Sequence, residues 1–146
     1  MKKLLFIALA LSFTFSVAKA DGRDKVITKE QLPSAAQQLL ASHFSGLKIL
    51  LVSEDREFVS RNYEVLFEDG TKLEFTRDGE WKELDCRKGG VPAALIPGEI
   101  KAFVGERYPD AEIIQIDRDR NDYEVRLSNR LELTFDKKFN LIDIDD

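Results

Sequence analysis

Six residues near the end of the chain carry the spacing most suggestive of chemistry. Asp117-Arg118-Asp119-Arg120-Asn121-Asp122 reads D-x-D-x-N-D. Oxygen donors at alternate positions of a loop are what a hard cation such as Ca²⁺ needs. An EF-hand loop would also want Gly at its sixth position and Glu at its twelfth. Those positions hold Asp122 and Ser128. A strand-to-strand turn without flanking helices is expected here, so the EF-hand is excluded. A looser Ca²⁺ site remains open, with Asp117, Asp119, Asn121 and Asp122 as ligands, completed by the tail acids Asp143, Asp145 and Asp146 or by another loop. The other reading is a solvated hairpin in which Arg118 and Arg120 neutralise the acids.

Nucleophilic chemistry has little to work with. Cys86 is the single cysteine and His43 the single histidine. One cysteine cannot form an internal disulfide, and a lone histidine gives no zinc signature. Nothing near either residue supplies an orienting group or an oxyanion motif. The chain holds no phosphate-binding P-loop motif, dinucleotide glycine fingerprint, G-x-S-x-G or CxxC. Carboxylates are plentiful, but they alternate along strands expected to be exposed. The expectation is therefore a protein that is not an enzyme.

What must position these residues is a repeated stretch. Residues 62–85, NYEVLFEDGTKLEFTRDGEWKELD, return as residues 122–143, DYEVRLSNRLELTFDKKFNLID. Both alternate apolar and polar residues with the period of a half-buried strand. Glu68-Asp69-Gly70 suits a three-residue hairpin loop with Gly in the left-handed region. That register sets Phe67 against Thr71, Val65 against Leu73 and Tyr63 against Phe75. Arg77-Asp78-Gly79 repeats the device and sets Phe75 against Trp81. Ser128-Asn129-Arg130 does so without a glycine, so Asn129 or Arg130 must accept the strained geometry, with Val125 opposite Leu133.

One face then carries Tyr63, Val65, Phe67, Leu73, Phe75 and Trp81, and Tyr123, Val125, Leu127, Leu131, Leu133, Phe139 and Leu141 are its counterpart. The opposite face carries Glu64, Glu68, Lys72, Glu74, Lys82, Glu124, Arg126, Glu132 and Asn140. Antiparallel sheets commonly keep one such face wet. It is either simply solvated or a docking surface, in which case Glu64, Glu74, Lys82, Glu124, Arg126 and Glu132 are the partner-binding residues.

Ahead of each copy, apolar residues at i, i+3, i+4 spacing predict a helix. The first spans 33–44, with Ala36, Leu39, Leu40, His43 and Phe44 on one side and His43 at the edge of the helix–sheet interface, and the second spans 97–108, with Ile100, Phe103, Val104 and Tyr108. Residues 47–54 and 111–117 predict strands, and residues 21–31 a polar lead-in. The expected fold is α+β: two tandem helix–four-strand antiparallel meander repeats, 21–88 and 89–146, together one compact domain. Their helices would pack on one face of a curved sheet, with up to eight strands in one sheet or two adjacent ones.

Residues 1–20 read as a secretory signal peptide: Lys2 and Lys3, an apolar run over 4–17, and Ala18-Lys19-Ala20 as the cleavage site. No cysteine follows the run to carry a lipid. The run is too short to stay as an anchor, so no membrane insertion is expected after cleavage. Its loss would remove three lysines and no acids, taking the net charge from −5 to −8. So acidic a chain argues against nucleic acid and anionic membrane surfaces as partners.

The chain also resembles a known family. The residues that carry the likeness are Leu32-Pro33 before a short helix ending in His43-Phe44-Ser45-Gly46, then Tyr63-Glu64-Val65, Asp69-Gly70-Thr71, Phe75-Thr76-Arg77-Asp78-Gly79 and Trp81. They are similar to the PepSY-like family of small periplasmic proteins, whose fold is like that of the β-lactamase inhibitor protein. The likeness covers about residues 25–146 and departs from the pattern at Ser128-Asn129-Arg130. It implies a periplasmic, non-enzymatic module that binds or inhibits a protein or peptide partner. For some members it also implies calcium regulation, which would fall on the 117–122 loop.

Overall fold

Side chains that bond back to the chain two residues later set the turns of this protein. Asp69 accepts from the Thr71 N–H at 2.8 Å, Asp119 from Asn121 at 2.9 Å, Asn129 from Leu131 at 3.1 Å and Asp136 from Lys138 at 2.8 Å. Such Asx turns hold a hairpin's corner without help from the core. The left-handed positions fall on Gly70 and Gly79, and, where no glycine is present, on Arg130 (φ 76°) and Phe139 (φ 66°). The resulting register pairs Tyr63 with Phe75, Val65 with Leu73, Phe75 with Trp81 and Val125 with Leu133.

The computed structural model describes residues 24–56 and 60–146, so the expected leader at 1–20 lies outside the described residues. Nine strands follow one another: β1 (Asp24–Ile27), β2 (Ile49–Arg56), β3 (Arg61–Phe67), β4 (Lys72–Phe75), β5 (Trp81–Asp85), β6 (Ile113–Arg118), β7 (Asp122–Leu127), β8 (Glu132–Asp136) and β9 (Leu141–Asp145). Two ten-residue helices, α1 (Ser34–His43) and α2 (Gly98–Arg107), lie before β2 and before β6.

This architecture corrects the expected α+β fold of two tandem helix–four-strand repeats. The protein is mostly one nine-stranded antiparallel sheet, with strand order equal to chain order. Two causes are visible. First, β5 pairs directly with β6, placing Leu84 opposite Ile116, and the Cys86 N–H donates to the Ile114 carbonyl at 2.8 Å. An unpaired strand edge inside a compact chain is costly, and this pairing removes it. Second, part of the supposed lead-in is β1, which pairs with β2 from Asp24–Asp55 to Ile27–Val52. Its only buried residue is Ile27, so no hydrophobic period announced it.

Both helices contribute to a single buried cluster on one face of the sheet: Ala36 and Leu40 from α1, and Ile100 and Val104 from α2. Phe44 stacks on Phe67 with centroids 5.8 Å apart, and Phe103 meets Phe135 edge-on at 5.3 Å. Cys86 belongs to this core. Burial, with Asp85 and Asp69 adding, pushes its thiol up to about 12, which keeps it protonated and unreactive. His43, expected at the edge of the helix–sheet interface, is instead exposed at the end of α1.

Candidate functional site

Burying one sheet face commits the alternate residues to the other, and the register then decides which of them meet. Glu64 on β3 is opposite Glu74 on β4, Glu74 opposite Glu83 on β5, Glu83 opposite Asp117 on β6, and Asp117 opposite Glu124 on β7. Five carboxylates thus stand in one row across five neighbouring strands. Ser53 flanks the row on β2, and Thr134 then Asp143 continue it on β8 and β9. Like charges directly opposite one another destabilise a sheet. The adjacent row, Lys72, Asp85, Gln115, Arg126 and Glu132, relieves part of this repulsion. Lys72 lies 3.6 Å from Glu83, and Arg126 lies 3.2 Å from Glu132. Gln115 donates to Glu83 at 3.4 Å and to Asp117 at 3.3 Å.

The relief is incomplete. Asp117 is pushed up to about 6, first by burial and then by Glu83, with Glu124 adding. Glu74 is raised by burial and by its contact with Glu83. Burial also raises Glu124, with Asp122 and Glu132 contributing. On Lys72, burial opposes the charge, but Glu83, Glu64 and Glu74 outweigh it and the pKa rises.

These shifts predict a pH dependence. Asp117 holds its proton more tightly in the folded chain than at its ordinary value of 3.8. Its contribution to stability is therefore fully present below that value and is lost as pH rises through about 6. Asp117→Asn should be more stable than the parent above neutral pH by about 1 kcal/mol, the shift being discounted for solvent around a half-exposed group. The difference should vanish near about pH 4. Urea melts at both pH values check this, and an equal gain at both would rule it out.

The row settles where the expected site residues lie. Glu64, Glu74 and Glu124 are in it, and Arg126 and Glu132 stand beside it. Lys82 is the extra residue of a β-bulge between Glu74 and Phe75, and it lines both an acidic groove with Glu83 and Asp117 and a separate cleft around Trp81. The expected Ca²⁺ ligands are spread over the β6–β7 hairpin, with Asp117, Asp119 and Asp122 lining one groove. Asp117 is mid-row on β6, Asp119 caps the turn through the Asn121 N–H, and Asp122 pairs with Asp136 on β7 and β8. Asp143 sits on β9, three strands from β6, or about 14 Å away at ordinary strand spacing. Among the described residues no three His, Cys, Asp or Glu side chains are gathered to hold a metal ion. Glu83 and Gln115 were not legible as members of this face, because the bulge moves Glu83 out of the simple alternation.

Among the described residues no helix is long and apolar enough to cross a membrane. The family described as "Putative beta-lactamase-inhibitor-like, PepSY-like" matches residues 61–143. No curated protein matches the chain. Solved structures do. A "putative calcium-regulated periplasmic protein" from Bacteroides thetaiotaomicron is 50% identical over 84% of this chain and 97% of its own, with a TM-score of 0.82. Two "putative periplasmic" proteins from Bacteroides vulgatus are also similar. One is 43% identical over 84% of this chain and 97% of its own, TM-score 0.83; the other is 33% identical over 84% and 99%, TM-score 0.79. With the family matched over residues 61–143 and relatives of 33–50% identity covering 84% of it, the chain belongs to the PepSY-like family of periplasmic proteins.

Proposed function

We propose that this protein is a non-enzymatic binding module that docks the cationic surface of a periplasmic protein on its polar sheet face and so regulates or inhibits it. The observation that carries the reading is the row Glu64, Glu74, Glu83, Asp117 and Glu124. A sheet built for stability alone would alternate charges across the strands. This one accumulates repulsion that a basic partner would relieve, which makes the charge row a source of association rate and specificity. Lys82, Arg126 and Glu132 at its margin would set orientation. The direct test is calorimetric titration with a lysine-rich peptide. Glu74→Gln with Glu124→Gln is expected to weaken binding by about tenfold, and Arg126→Glu to leave it unchanged or stronger. Unchanged binding in the double variant would remove the face from consideration.

Calcium regulation is the second reading, supported by the description of the relative at 50% identity. Its ligands would be drawn from Asp117, Asp119, Asn121 and Asp122, of which Asp117, Asp119 and Asp122 line one groove. A ligand selective for the native state raises the melting temperature once it exceeds its dissociation constant. A rise with millimolar Ca²⁺, absent with Mg²⁺ and lost in Asp119→Ala, would favour this reading. An equal response to both ions would reduce it to screening of the carboxylate row.

A further inference from the structure

One broad concavity of this acidic protein is basic. A cleft of about 1020 Å³ opens beside Trp81 at one end of the strands. Its cations come from four separate connections: Arg56 and Arg61 at the β2–β3 end, Arg77 from the β4–β5 turn, Arg118 and Arg120 from the β6–β7 end, and Lys137 from the β8–β9 turn. Lys82 adds a seventh, and among the described lining residues the acids are Glu80 and Asp119.

Internal pairing accounts for only part of this charge. The buried Glu54 lies 3.2 Å from Arg56 and 3.0 Å from Arg61. Arg118 is fixed from three sides. It bonds the Trp81 carbonyl at 3.1 Å, pairs with Glu80 at 3.2 Å, and holds its guanidinium 4.0 Å from the Trp81 ring centre. Lys137 rests 4.2 Å from the Tyr123 ring centre. Among the described residues, Arg77, Lys82, Arg120 and Lys137 have no ion-pair partner. One sign of charge inside a concavity focuses the field and concentrates counter-ions there.

We infer that this cleft binds an acidic peptide segment in extended form. The cations are distributed over four connections, so they match a chain of carboxylates better than one compact anion. Guanidinium forks pair with carboxylates through two parallel hydrogen bonds. Ser60, Asn62 and Thr76 between them offer neutral donors and acceptors for a peptide backbone. The site lies apart from the carboxylate row, with Lys82 and Asp119 at the boundary between the two, so the molecule presents surfaces of opposite sign to its surroundings.

Trp81 is the single tryptophan of the chain, so its fluorescence reports on this cleft. Titrating the protein with an oligoglutamate peptide should change Trp81 emission saturably, and added salt should weaken the response, because at physiological ionic strength attraction between exposed charges is screened beyond about 8 Å. Arg77→Glu with Arg120→Glu alters two exposed side chains and should weaken binding about tenfold or more. Glu64→Gln on the sheet face should leave it unchanged, and a melting curve for each variant confirms that it folds. The inference is overturned by no saturable response, by an equal response to inorganic phosphate or oligolysine at matched ionic strength, or by binding that survives the double reversal in a folded protein.

Discussion

Gly79→Ala is expected to destabilise this protein by about 3 kcal/mol or more, while Gly70→Ala costs about 1–2 kcal/mol. The two glycines share a backbone state, with φ of 86° and 93°, and close equivalent hairpins. Their surroundings differ. A Cβ on Gly70 would meet nothing within 4 Å. On Gly79 it would stand 2.9 Å from the Pro33 Cβ, 3.0 Å from the Ala36 backbone N and 3.1 Å from the Ala35 Cβ. The first cost at each site is the left-handed conformation itself. At Gly79 a second is added, because the first turn of α1 rests directly on the β4–β5 hairpin and backbone cannot yield as a side-chain tip would. Relief requires lifting α1, which would loosen Ala36 and Leu40 from the core. Urea melts of both variants measure the difference. Equal losses would mean that α1 does not depend on this close approach.

The same hairpins explain what was legible in the sequence. Asp69-Gly70 and Asp78-Gly79 combine turn chemistry with apolar alternation, and together they specify the pairing of Tyr63, Val65 and Phe75 residue by residue. The missing glycine made a strained position at Asn129 or Arg130 legible, and the positive φ falls on Arg130. Strict alternation fails at bulges. Between Glu74 and Phe75 the register slips by one residue, so Lys82 and Glu83 follow one another between the buried Trp81 and Leu84. Glu83, which completes the carboxylate row, therefore read as the wrong phase. The row as a whole is a property of pairing, since its members lie as far apart in the chain as Glu64 and Glu124. The basic cleft is further out of reach, because its cations belong to four connections that meet only once the sheet has formed. Asp117 and Arg118 show what the pleat adds to spacing: strand geometry sends neighbouring residues to opposite faces. Arg118 consequently reaches Trp81 while Asp117 joins Glu83 and Glu124.

A continuous sheet makes a second large prediction. Leu84 is fully buried and lies between Leu73 on β4 and Ile116 on β6. Leu84→Ala should cost about 3 kcal/mol, in the ordinary range for a buried leucine truncated without collapse of the cavity. That is a large fraction of the stability of a typical domain. The more informative readout is where the loss is felt. If β1–β9 unfold as one sheet, amide protection at Val65 on β3 and at Val125 on β7 should fall by the same free energy, because both exchange through the same global opening. Thermal unfolding should remain a single transition by every probe. Two separable helix–strand units would behave otherwise: protection at Val65 would fall while Val125 kept its own value. The β5–β6 pairing, with the Cys86 N–H bonded to the Ile114 carbonyl and the Val91 N–H to the Ile113 carbonyl, argues for the shared loss. It also couples the two charged surfaces, since the carboxylate row crosses this seam at Glu83 and Asp117, and Arg118 on β6 packs over Trp81 on β5.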